Sequence, residues 1–115
     1  IPFTLACGVP HTEMPAVYKR HRVFVNASDS ERMSLTIGEA LCAGCRVLAT
    51  EHNRGNEWYP GLIEFDPDKQ KTLQMGLRLR YTDPEWDYAP NDAARRLTWR
   101  HVASQLLRIY QEALR

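Results

Sequence analysis

Two carboxylates and the start of a helix stand close together in the stretch Asn26 to Thr50, NASDSERMSLTIGEALCAGCRVLAT. Glu31 lies in a polar loop and Glu39 falls eight residues later on the helix that follows, with the helix N-terminus between them near Ser34 and Leu35. Carboxylate oxygens accept hydrogen bonds from sugar hydroxyls. The first-turn N–H groups of a helix lack intrahelical acceptors and carry the positive end of its dipole, so the backbone at Ser34, Leu35 and Thr36 can receive a phosphate without a lysine. Glu39, about one turn into the helix, points back toward that N-terminus. One carboxylate can then take a ribose diol while the other takes a hexose. Without context, two glutamates at this spacing are most often solvated surface charges, so the surrounding elements carry the inference.

Those elements alternate between strand and helix. Ile1 to Ala6 is a short apolar run ended by Gly8 and Pro10, which suits a buried strand. Thr12 can cap a helix over about Glu13 to Arg20, with Pro15 in its first turn and Met14, Val17, Tyr18 and His21 at helical spacing. Val23 to Val25 does not alternate with polar residues and reads as a strand covered on both faces. After the loop Asn26 to Ser34, a helix over Leu35 to Ala43 has Ile37, Ala40, Leu41 and Gly44 on one face, and Gly44 suits the left-handed residue that ends it. Val47 to Ala49 is a third strand. An irregular loop, EHNRGNEWYPG, leads to a short fourth strand over Leu62 to Phe65.

Asp66 and Pro67 fit the cap and first position of a helix running to about Tyr81, with Leu73 and Leu77 inward. TDPEWDYAPND breaks the pattern. Thr98 then caps a last helix, Val102 is placed to staple onto Leu97, and Trp99, Val102, Leu106, Tyr110 and Leu114 share a face that reads as core. The expected fold is α/β, a Rossmann-like parallel sheet of about four strands joined by right-handed crossovers with flanking helices. Doubly wound domains usually have more strands, so residues 1–115 read as a single partial domain. In such sheets ligands bind beyond the carboxyl ends of the strands, where the loop Asn26 to Ser34 lies.

Composition narrows the partners. Fifteen basic and fourteen acidic residues leave the chain nearly neutral, with no basic run to suit nucleic acid or an anionic membrane. Cys7, Cys42 and Cys45 are odd in number and lack zinc-like spacing with histidine, which suits reduced thiols in a cytosolic protein. Cys42 and Cys45 form a C-x-x-C, but one ends a helix and the other opens a strand, the reverse of the usual redox arrangement at a helix N-terminus. His11, after Gly-Val-Pro, reads as a turn residue, with contact to a nucleobase as its functional reading. Trp58 and Tyr59 suit either a cleft lining or packing. No apolar run approaches the ~20 residues that span a bilayer, IPFTLACG does not suit a signal peptide, and without an initiator Met the chain reads as a piece of a longer protein.

SERMSLTIGEALCAGCRVLAT resembles the signature of retaining glycosyltransferases of the GT-B fold: two glutamates eight apart, a small-residue helix ending in glycine, then a strand. ACGVPHTEMPAVYKRHRVFVNAS is similar to that family's strand, Gly-Val turn, short helix and next strand, and LTWRHVASQLLRIYQEAL to its terminal helix. The resemblance covers most of the chain in the right order. It implies the latter part of a C-terminal, nucleotide-sugar-binding domain of the glycogen synthase and mannosyltransferase type.

By that resemblance Glu39 binds the donor's ribose and Glu31, the candidate catalytic residue, meets the transferred hexose. The backbone at Ser34, Leu35 and Thr36 holds the diphosphate and the main chain at Val9 meets the nucleobase. No metal and no cofactor is implied, because helix dipole and basic side chains stabilise the departing diphosphate. The partners are an NDP-sugar donor, an acceptor saccharide, lipid or other hydroxyl compound, and a preceding N-terminal domain, without which the chain alone is expected to be inactive and to self-associate through an exposed sheet edge. Location is expected to be cytoplasmic, with peripheral membrane attachment of the longer protein left open. Two departures stand out: Arg32, Met33 and Ser34 replace the family's glycine-rich turn, as Arg46 replaces a common Pro, and the Arg and Lys that usually clamp the diphosphate are expected ahead of the first strand. A nucleotide-sugar epimerase of the same fold and a non-catalytic flavodoxin-like interaction domain are the alternatives.

Overall fold

The computed structural model describes residues 2–59, 61–82, 96 and 98–115. A 3-10 turn at His11–Glu13 runs into α1 (Met14–Lys19), followed by β1 (Val23–Asn26), α2 (Leu35–Cys42), β2 (Arg46–Thr50), a second 3-10 turn at Arg54–Trp58, β3 (Ile63–Phe65), α3 (Gln70–Thr82) and α4 (Trp99–Ala113). The three strands form one sheet in the order β1-β2-β3, parallel throughout. The protein is therefore mixed α/β, with helices flanking a parallel sheet. Among the described residues no helix is long and apolar enough to cross a membrane.

β2 is the centre of the structure. Val47, Leu48, Ala49 and Thr50 are all fully buried, as a strand paired on both edges and covered on both faces requires. Successive side chains point to opposite faces. Val47 and Ala49 join the cluster of Ile37, Ala40 and Leu41 from α2 and Tyr18 from α1. Leu48 lies against α3 on the other side, where a Cβ on Gly76 would stand 2.7 Å from its Cδ2. Burying side chains of this size stabilises by roughly 1.5–3 kcal/mol each.

α2 stops where its glycine directs. Gly44 has φ of 86°, its N–H bonds to the Leu41 carbonyl at 3.1 Å, and the Cys45 N–H bonds to the Ala40 carbonyl at 2.9 Å. That pair of bonds is a Schellman motif. It turns the chain straight into β2, so α2 and the strand it precedes are set by one reversal.

Several expectations are corrected. The apolar run at the start forms no strand over the described residues 2–6, and Phe3 and Leu5 are 86% and 79% exposed, so among the described residues the sheet has three strands. Apolar character alone does not make a strand: residues 2–6 do not take the open place beside β1. β1 is consequently an edge strand, and its Val25 is exposed instead of covered on both faces. Thr12 sits inside the 3-10 turn and does not cap α1; Pro10 opens the turn and its carbonyl accepts from the Glu13 N–H at 2.9 Å. α3 begins at Gln70 and not at Pro67, because the Asp66 side chain accepts from the Asp68 N–H at 3.0 Å and closes a local turn first.

Thr98 does cap α4, accepting from the His101 N–H at 3.3 Å. Its apolar face is nevertheless not core: Trp99, Leu106, Tyr110 and Leu114 are all exposed. The amphipathic pattern determined the helix but not a partner for it. Of the break expected over 82–92, Thr82 belongs to α3 and the rest, like the staple residue Leu97, lies outside the described residues.

Candidate functional site

The loops that leave β1 and β2 share the carboxyl end of the parallel sheet, and polar side chains lock them together. Asn26, the last residue of β1, is buried; its amide donates to Ser34 Oγ at 3.0 Å and its carbonyl oxygen accepts from the Ser28 N–H at 3.0 Å. Asn53, in the loop after β2, accepts from the Glu31 N–H at 3.0 Å, and the Thr50 hydroxyl donates to the Ser28 carbonyl. Tyr59 is buried and donates to the Ser34 carbonyl at 2.7 Å. Each bond satisfies a polar group that burial would otherwise penalise.

Glu31 belongs to this network. Its Oε1 accepts from the Ser28 hydroxyl at 2.7 Å. Ser34 foremost, with Ser28 and Asn26 also close, holds the Glu31 carboxyl below its ordinary range, although desolvation acts the other way. Oε2 is buried and closes no hydrogen bond of ordinary geometry among the described residues. The negative charge is felt at Tyr59, whose phenol is raised first by burial and then by Glu31.

Ser34 holds the N-cap position of α2 but caps nothing. Its hydroxyl is engaged with Asn26 and, at 2.9 Å, with Thr36. The first-turn N–H groups of α2 thus keep their capacity for an outside acceptor, and Leu35 and Thr36 at that turn are exposed.

Glu39 lies in a separate network, one helical turn on. Its Oε2 accepts from the Tyr18 hydroxyl at 3.1 Å, and His11 Nδ1 stands 3.8 Å from its Oε1. These three residues, with Met14, Pro15, Lys19, Cys42 and Ala43, line a groove of about 270 Å³ between α1 and α2. The walls are largely apolar and the polar groups converge at one end, an arrangement suited to a flat ring bearing a hydroxylated appendage. Val9 is half-buried between Gly8, with φ of 67°, and the turn that carries His11.

Comparison with protein-family models, with curated proteins and with solved structures finds no match for this chain. Leu35 and Thr36 form the exposed start of α2 beside the buried Ser34, which Asn26 ties to the Glu31 loop, while Glu39 lines the α1–α2 groove; no hydrogen bond joins the two carboxylates. His11 lies in the 3-10 turn, as expected of it, with its Nδ1 3.8 Å from Glu39 Oε1. Sequence reasoning missed Asn53 altogether, although an Asn just after a buried strand is a recognisable signal for tying loops together. Of the two loop aromatics, Tyr59 packs and Trp58 is exposed. Cys42 is exposed and Cys45 buried, and neither is in a disulfide. Among the described residues no three His, Cys, Asp or Glu side chains converge on a metal-sized point.

Proposed function

We propose that this chain is the nucleotide-sugar-binding part of a retaining, metal-independent glycosyltransferase that moves a hexose from an NDP-sugar to an acceptor hydroxyl. The single observation that carries the reading is the α2 N-terminus: its cap residue Ser34 spends its hydroxyl on Asn26 and Thr36, leaving first-turn N–H groups at the carboxyl end of a parallel sheet, with Glu31 on one side and Glu39 on the other. Backbone N–H groups there would take the donor's diphosphate and stabilise it as it departs. Glu39 would accept from the ribose, with the nucleobase toward Val9 and His11. Glu31, held as a carboxylate, would meet the hexose through Oε2, which requires the Arg32–Ser34 backbone to yield locally.

In this reading the three-stranded sheet is part of a larger Rossmann-like sheet in a cytoplasmic protein whose acceptor-binding domain precedes these residues. Titration of the isotopically labelled chain with UDP-, GDP- and ADP-sugars tests it. Amide resonances of Leu35 and Thr36 should move with one of the donors, and Glu39→Ala should weaken that donor's binding by tenfold or more. A folded sample whose resonances near Leu35 ignore all three would overturn the reading in favour of a non-catalytic interaction domain.

A further inference from the structure

The α1–α2 groove has a polar end built before any ligand arrives. Tyr18 is 4% exposed, and its ring is fixed on several sides: edge-on to Phe24 with centroids 5.6 Å apart, and within the cluster of Ile37, Ala40 and Leu41. Its backbone is tied as well, since the Cys45 thiol donates to the Tyr18 carbonyl at 3.2 Å. Burial, and then the neighbouring Glu39 carboxylate, push the phenol far above its ordinary range. The hydroxyl therefore keeps its proton and serves as a fixed donor to Glu39 Oε2 at 3.1 Å.

A glutamate on a helix surface ordinarily samples several rotamers, and a ligand that uses it must first restrict them. Here one oxygen is already held. The other, Oε1, stands 3.8 Å from His11 Nδ1, outside hydrogen-bond reach, and both residues line the groove. We infer that Tyr18 is a positioning residue for Glu39: by holding Oε2 it presents Oε1 to a ribose hydroxyl of a nucleotide lying in the groove. This rests on the donor-binding reading above. Tyr18 lines the same groove, but its hydroxyl is spent on Glu39 and acts on the ribose through that carboxylate.

The test uses UDP, GDP and ADP together with their 2′,3′-dideoxy forms, binding to the full chain measured by calorimetry or by resonance shifts. Tyr18→Phe, which removes one oxygen atom, should weaken the preferred nucleotide about tenfold, the order expected for one hydrogen bond to a charged group. It should leave the dideoxy form unchanged, because without the diol Glu39 has nothing to receive. Glu39→Gln should give a similar loss on the diol form, and adding Tyr18→Phe to it should cost no further affinity. Equal affinity of Tyr18→Phe and the parent chain for the diol form would overturn the inference, as would an equal loss on both nucleotide forms or losses that multiply in the double variant. Should Tyr18→Phe not fold, the Glu39→Gln arm still decides, since an undiminished preference for the diol in that variant leaves Tyr18 nothing to position. If the parent chain binds none of the three nucleotides, the donor-binding reading falls too, an outcome distinct from the others.

Discussion

Gly55 and Arg32 meet backbone to backbone. A Cβ on Gly55 would stand 1.6 Å from the Arg32 carbonyl oxygen and 2.5 Å from its carbonyl carbon. The loop after β2 thus carries a glycine against the backbone of the loop after β1, at Arg32 and Met33.

Gly55→Ala cannot be absorbed by a side-chain rotation, since the obstructing atoms are backbone. It should destabilise by roughly 1–3 kcal/mol, as overpacking does, and should shift the Glu31 and Asn53 resonances together. Gly38→Ala is the control: its Cβ would meet the Tyr59 ring at 3.4 Å, an ordinary contact, so its urea midpoint should fall less. Equal midpoints for the two variants would contradict the loop packing.

Glu31 should make stability depend on pH in a defined direction. Its folded pKa lies below the ordinary value, so the unfolded chain binds the proton more readily. The resulting stabilisation is fully present above the unfolded value of about 4.3 and is lost as pH falls through the lower folded value. Urea midpoints of the parent chain and Glu31→Gln should therefore differ most near neutral pH and converge on acidification below about pH 4. A gap that widens on acidification would reverse the sign and the assignment.

The thiols should divide by environment. Burial pushes the Cys45 thiol up to about 11, and its Sγ donates to the Tyr18 and His21 carbonyls at 3.2 and 3.3 Å. Burial and then Glu39 also raise Cys42, which remains exposed. Because the thiolate is the nucleophile, iodoacetamide at pH 8 should label Cys7 first, Cys42 more slowly, and Cys45 only after denaturation. Native labelling of Cys45 ahead of Cys42 would place it elsewhere.

Leu48 and Leu106 are the same residue in opposite situations, one fully buried on β2 and the other exposed on α4. Leu48→Ala should cost about 2–5 kcal/mol by leaving a cavity. Leu106→Ala should change stability by less than about 0.5 kcal/mol. Comparable losses in chemical denaturation would show that α4 packs against a core after all.

The elements around the candidate site were legible in the sequence because each is decided locally. Gly44 ends α2 because only a residue at ease with positive φ closes the Schellman turn, and the unbroken apolar run after it needs a position with neighbours on every side, which β2 supplies. Ser34 marked the helix start, and Glu39 one turn later followed from helical spacing alone. What sequence could not decide were pairings. Whether Ile1 to Ala6 becomes a strand depends on its pairing with another strand, and whether the apolar face of α4 becomes core depends on an opposing surface; neither is a property of the segment. The same holds at the site. The sequence determined that Glu31 and Glu39 flank a helix N-terminus. Only the tertiary structure decided that Glu31 is drawn into a network with Asn26, Ser28 and Asn53 while Glu39 is held by Tyr18, because those hydrogen bonds join residues up to 22 positions apart whose meeting is set by how strands pair and helices pack.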